Sequence, residues 1–145
     1  MPETAASADW SLHPQLQRDT LPVGDLALCR VLLINDANYP WILLVPRRPD
    51  VSEIIDLSEA DRITLMDEIS RASQAIKAMT GCAKLNVAAL GNVVPQLHVH
   101  VVARGPSDPA WPKPVWGAVP PIAYGESALR SVLADLRERM AVSAP

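Results

Sequence analysis

Apolar and polar positions change their period several times along this chain, and each change marks an element. Over residues 26–34 the run Leu-Ala-Leu-Cys-Arg-Val-Leu-Leu-Ile predicts a β-strand, closed by the turn-prone Asn35-Asp36-Ala37-Asn38. Trp41-Ile42-Leu43-Leu44-Val45, stopped by Pro46, predicts a second strand paired with the first through that short loop. The period then lengthens to that of a helix. Ile63, Leu65 or Met66, Ile69, Ala72, Ile76 and Met79 recur on one face while Asp67, Glu68, Arg71 and Lys77 take the other, so residues 59–79 read as an amphipathic helix. Ser58 with Asp61 resembles a capping box at its start, and Gly81 suits its C-terminal cap. A strand over residues 84–90 follows, broken at Gly91-Asn92.

From Gln96 to Val101 apolar and polar residues alternate strictly, the period of a half-buried strand. Leu97, Val99 and Val101 then face a core, and Gln96, His98 and His100 share the other face. Residues 105–121 hold six prolines together with Trp111 and Trp116. Such a segment cannot pair as a central strand, so its tryptophans cover the core, stack on a ligand or meet a partner chain. A last helix opens at Glu126 or Ser127 and runs to about residue 140, with Leu129, Val132, Leu133 and Leu136 as its buried stripe. At the other end, residues 1–9 read as a flexible tail, and residues 10–21 as a short helical turn before Pro22. The pattern predicts an α+β fold with one domain over residues 10–145 and no internal repeat.

Composition narrows the function. The 145 residues are 49% hydrophobic and 20% charged, as in an ordinary globular domain able to bury a core without disulfides or a structural metal. A formal net charge of −3 gives no general basic field, which argues against a nucleic-acid polymer as partner; an anionic ligand must be met by a local cluster of donors. Cys29 and Cys82 lie far apart in apolar stretches and read as buried free thiols. No signal-peptide pattern and no run near ~18 apolar residues is present, so a cytoplasmic protein without a membrane span is expected.

The chemistry concentrates in the alternating strand. Two of the three histidines fall there, and at about 3.3 Å per residue their Cβ atoms lie roughly 6–7 Å apart, within reach of one phosphate or metal ion. Gln96 adds a hydrogen-bonding side chain in register. Gly91 invites a left-handed backbone just upstream, either an anion cradle or a tight turn. Asn35 and Asp36 are turn formers that could also present an acceptor to a sugar hydroxyl. Arg47, Arg48 and Arg104 read as solvated surface charges rather than polyphosphate ligands, and His13 as a surface residue.

The segment Gln96-Leu97-His98-Val99-His100-Val101-Val102 resembles the motif of the histidine triad (HIT) family of nucleotide hydrolases and transferases, His-φ-His-φ-His-φ-φ with φ apolar, departing from it at the first histidine, where this chain has Gln96. The order of strand pair, long helix, strand, glycine turn and histidine strand also resembles that family. The resemblance implies a five-stranded antiparallel sheet with a long helix and a C-terminal helix, a homodimer, and cleavage at the α-phosphate of a nucleoside phosphoramidate or dinucleoside polyphosphate, without cofactor or metal. It implies that His98 is the nucleophile and that His100 contacts the phosphate and aids the leaving group. Gln96 completes the catalytic set as an orienting or phosphate-bonding group, Asn35 would bind the ribose, and Gly91, Asn92, Val93 and Val94 would bring backbone to the phosphate. Physical chemistry supports the pairing: a neutral imidazole can attack phosphorus if its other nitrogen donates to a carbonyl, and two close rings resist carrying charge together, so the neighbour is expected to carry the proton.

Two other readings compete. His-x-His on a strand is also how cupin-type barrels hold a metal, although no acidic residue follows His100 in Val101-Val102-Ala103-Arg104-Gly105. A nucleotide-binding module with little catalysis would equally suit Gln96 and the tryptophans.

Overall fold

A computed structural model of the chain describes residues 7–145, so most of the expected N-terminal tail lies outside the described residues. Ser7 is already tethered, its N–H donating to the Arg47 carbonyl at 3.2 Å. The elements follow as α1 (Pro14–Asp19), β1 (Thr20–Asp25), β2 (Cys29–Ile34), β3 (Trp41–Pro46), α2 (Glu59–Thr80), β4 (Lys84–Ala88), β5 (Val99–Arg104) and α3 (Glu126–Met140). All five strands join one antiparallel sheet in the order β1-β2-β3-β5-β4, so the histidine strand β5 is central. This open sheet is not the closed barrel that the metal-binding alternative requires.

Strand β1 is absent from the sequence expectation, for a physical reason. It carries Pro22 and Gly24, both poor strand formers, and is tolerated because it lies at the edge with a register shift between those two residues. Gly24 is required by close approach: a Cβ there would lie 2.6 Å from the Ser143 carbonyl and 2.8 Å from the Val142 side chain, which pack over this edge beyond α3.

Helix α2 begins where the capping signal places it. Ser58 accepts from the Asp61 N–H at 3.1 Å, and Gly81 ends the helix at φ 62. The reciprocal half of the box is replaced by an ion pair, the Asp61 carboxylate taking Arg48 Nε at 2.7 Å and so fastening the helix start to the chain just beyond β3. The buried stripe differs from the expected one. Leu65, Ile69, Ala72, Ala75 and Ile76 are buried, whereas Ile63 and Met66 are exposed and Glu68, expected on the polar face, is only 1% exposed. The Glu68 carboxylate accepts from the Leu28 and Cys29 N–H groups at 2.9 and 2.8 Å, tying the helix to the start of β2. Two charge-assisted bonds at such distances offset its desolvation. Burial, reinforced by the Glu68 carboxylate, pushes the Cys29 thiol pKa well up; Cys29 is a buried free thiol as expected, and Cys82 a half-buried one.

Helices α2 and α3 cover one face of the sheet, where Val31, Leu33, Ile42, Leu44, Val99 and Val101 meet Leu65, Ile76, Leu136 and Met140. The other face is also covered, not wet. Leu32, Trp41, Leu43, Val45 and Val102 pack there against Leu16, Val94, Ala110 and Val115, with Trp10, Leu12 and Trp116 at the margin. Residues 105–121 thus form an irregular cover over the histidine side, and Trp116 packs against the core there. Among the described residues, no helix is long and apolar enough to cross a membrane.

Candidate active site

Strand β5 places His100 opposite Leu43 of β3, one diagonal step from Trp41, which faces Val102. Residues two apart share a face, so His98, just before the strand, and His100 project to the same side. Their rings stand 5.0 Å apart between centroids at 61°, with His98 7% and His100 6% exposed. The two side chains therefore converge, as the alternation predicts.

Their hydrogen bonds fix which nitrogen carries each proton. His98 Nδ1 lies 2.7 Å from the Gln96 carbonyl oxygen, which can only accept, so Nδ1 is the donor and the neutral ring keeps its lone pair on Nε2. That is the nucleophilic tautomer. His100 is the converse: Trp41 Nε1–H, a donor only, reaches His100 Nδ1 at 2.9 Å, so this nitrogen is the acceptor and Nε2 bears the hydrogen. Burial, reinforced by the neighbouring His98, pushes the His100 pKa down to about 4. His100 is consequently neutral at physiological pH, which corrects the expectation that the nucleophile's neighbour carries a positive charge.

Gln96 also departs from its expected place. Its Oε1 accepts from the His13 N–H and its Nε2 donates to the Ser11 carbonyl, both at 2.8 Å. The amide therefore pins the N-terminal segment to the start of the histidine strand instead of meeting a phosphate, while the Gln96 backbone carbonyl orients His98. His13, read as a surface residue, is half-buried and caps α1, its Nδ1 accepting from the Gln15 N–H at 3.0 Å. Nothing local in the sequence signals the Gln96 contacts, which span 83 and 85 residues.

Both rings open on a cavity of about 290 Å³ whose wall also includes Gly91, Asn92, Val93, Val94 and Trp116. Gly91 has φ 76, the left-handed conformation expected of it. Six of the expected site residues, His98, His100 and Gly91 to Val94, thus meet in one place. Asn35 lines a second cavity of about 450 Å³ with Arg18, Asp36, Trp41 and Val115. Asp19 and Ile34 line both, so the two cavities adjoin. Asn35 Oδ1 accepts from Tyr124 N–H at 3.0 Å, and Asp36 Oδ1 from Asn38 and Ile122 N–H, so both residues hold turns and the C-terminal segment as well as forming a wall. Arg18, Asp19 and Trp41 are site residues that sequence reasoning missed.

The three arginines singled out earlier lie elsewhere. Arg47 bonds the Leu28 carbonyl, Arg48 bonds Asp61, and Arg104 bonds Asp108, Asn86 and the Lys113 carbonyl. Arg104 is buried, not solvated. Among the described residues, no group of three or more His, Cys, Asp or Glu side chains is arranged to hold a metal ion.

The HIT domain family pattern matches residues 15–107, nearly two thirds of the chain, including both histidines and Gly91–Val94. The chain belongs to the HIT family. Solved structures agree. A histidine triad protein of Bradyrhizobium japonicum is 56% identical, with a TM-score of 0.89 over 90% of this chain and 98% of that one. One from Marinobacter aquaeolei is 45% identical, with a TM-score of 0.89 over 91% and 96% of the two chains, and one from Sinorhizobium meliloti 41% identical, with 0.88 over 90% and 97%. A comparison with curated proteins gave no match. HIT proteins bind nucleotides and are generally nucleotide hydrolases or transferases, and the convergence of two differently protonated imidazoles on one cavity suits that class of chemistry.

Proposed function

We propose that this HIT protein is a nucleotide hydrolase or nucleotidyl transferase acting at the α-phosphate through a covalent intermediate on His98. The observation that carries the reading is the 2.7 Å bond from His98 Nδ1 to the Gln96 carbonyl, which leaves the lone pair of the neutral ring on Nε2, in a residue that lines one cavity with Gly91–Val94. In the first step the Nε2 lone pair forms a bond to phosphorus while the bond to the leaving group breaks, and the leaving group takes the electron pair. The imidazolium so formed keeps its Nδ1 proton on the Gln96 carbonyl, which stabilises the developing charge. Water or another acceptor then forms a bond to phosphorus while the P–Nε2 bond breaks and its electron pair returns to His98; the acceptor's proton passes to solvent, and the nucleotide leaves with His98 neutral again. His100 offers Nε2–H to a phosphate oxygen, and the Gly91–Val94 backbone flanks the same group. We assign the nucleoside to the adjoining cavity, with Asn35 beside the ribose and Asp36 and Arg18 further along the wall.

Dinucleoside polyphosphates and nucleoside phosphoramidates are the substrate classes in view, and a panel of both, assayed for release of nucleoside monophosphate, tests the reading. His98→Asn should bind nucleotide and release none. A nucleotide-binding module with little catalysis is the second reading, favoured by Gln96, whose amide contributes neither charge nor a bond to the phosphate. Binding without product or adduct would select it. We further propose a homodimer: Ile55, Ile63 and Met66 are exposed around the start of α2, and Val87 on the edge strand β4.

A further inference from the structure

The bond between Trp41 and His100 constrains more than orientation. A protonated imidazole has a hydrogen on both nitrogens, and an indole N–H can only donate. While Trp41 Nε1–H sits 2.9 Å from His100 Nδ1, the ring cannot accept a second proton there without breaking a buried hydrogen bond. The surroundings reinforce this. Trp116 packs edge-on against His100 at 5.2 Å, Trp41 packs edge-on against Trp116 at 6.1 Å, and His98 stands 5.0 Å away. Of charged side chains, Asp19 from the end of α1 lines the same cavity, and its carboxylate accepts from Gln15 Nε2 at 2.9 Å.

We infer that Trp41 is a positioning residue that fixes His100 as a neutral hydrogen-bond donor, so that the site favours leaving groups that depart as phosphate anions over leaving groups that are amines. The inference rests on the nucleotidyl-transfer reading and narrows it. When His98 Nε2 attacks a phosphoanhydride, the P–O bond breaks and the electron pair goes to the bridging oxygen of a phosphate whose second pKa is near 6. That anion is stable at neutral pH and needs no proton. When the substrate is a phosphoramidate, the P–N bond breaks and the amine must gain a proton, which a locked His100 cannot supply. General acid catalysis is worth about 10²–10⁴-fold, so an amine leaving group should be handicapped by at least ~10²-fold relative to phosphate.

The test has two arms. Nitrogen-15 NMR of the free protein reads the tautomers directly and needs neither a variant nor turnover: His100 should show Nε2–H with an unprotonated Nδ1 and His98 the reverse. In Trp41→Phe, which keeps an apolar ring and loses the donor, His100 should populate both tautomers and titrate roughly half to one unit higher. Trp116→Phe, which also alters packing against His100, should leave the tautomer unchanged and so separates packing from the hydrogen bond. In the kinetic arm, the kcat for a dinucleoside polyphosphate over that for a phosphoramidate of the same nucleoside should be large in the parent and shrink about tenfold in Trp41→Phe, with an acid limb appearing in its pH profile. Should Trp41→Phe fold poorly, the parent's tautomer and its leaving-group ratio still decide. A protonated His100 Nδ1 in the parent overturns the lock, and equal rates for the two leaving groups overturn the preference. No cleavage of either substrate, with the tautomers as described, would overturn the transfer reading and the preference with it while the lock stands.

Discussion

The two faces of the sheet are covered in different ways. On one, α2 and α3 lay regular apolar stripes against Val31, Leu33, Ile42, Leu44, Val99 and Val101, and the most deeply buried carboxylate of α2, Glu68, is bonded to backbone through both oxygens. On the other, α1 and the irregular residues 105–121 bring aromatic and polar groups onto the same strands, and the buried side-chain atoms without a partner among the described residues, Trp10 Nε1, Tyr39 Oη and Trp116 Nε1, all belong to residues on this side. The first face is built for cohesion. The second leaves a few buried polar atoms without a partner and carries both histidines of the cavity. Stability and chemistry are thus divided between faces one residue out of step on the same strands, and substitutions should separate them.

The largest separation is expected at His98. His98→Asn should lower turnover by at least about 10⁴-fold, while thermal unfolding moves by no more than a few degrees. An equally large loss of stability would show that the histidine face also carries the fold. On the opposite face, Glu68→Ala should do the reverse. It leaves the Leu28 and Cys29 N–H groups buried and unbonded, which destabilises by roughly 2–4 kcal/mol, with kcat per folded molecule little changed; denaturant titration alongside an assay checks both.

The pH dependence of stability gives a third, smaller contrast. His100 in the unfolded chain takes its proton near pH 6.5, but in the folded chain only near 4. The unfolded state therefore binds more protons between these values, so the stability this group contributes is complete above about pH 6.5 and is lost as pH falls toward 4, by at most about 3 kcal/mol. His100→Gln should flatten that limb in urea melts taken across the range. Smallest is Gln96→Ala, which frees Ser11 and His13 from β5 and should reduce stability by about 1 kcal/mol. Faster hydrogen exchange confined to residues 11–16 would report it, and exchange spread through α2 instead would join two faces held here to be separate.

What the sequence reveals divides along the same line. The helix-covered face is read from periodicity: α2 and α3 start at Glu59 and Glu126 as expected, and the alternation from Gln96 to Val101 orients both histidines correctly. Local rules fail where a distant partner decides. Glu68 reads as solvated until the Leu28 and Cys29 N–H groups arrive from forty residues away. Pro22 and Gly24 conceal β1 because an edge position and the overlying Val142 and Ser143 are tertiary facts. On the histidine face, the motif marks His98 and His100, yet Trp41 reads only as strand and Gln96 as a third catalytic group, since no spacing rule foretells an indole donating across two strands or an amide bonding the N-terminal segment.

The central claim is that His98 carries the reacting nucleotide. Rapid quenching of the enzyme with a radiolabelled dinucleoside polyphosphate at high pH, followed by peptide mass spectrometry, should find the mass of one nucleoside monophosphate on His98 and none in His98→Asn. Label on a different residue, or product formed at the parental rate by the variant, would contradict the account.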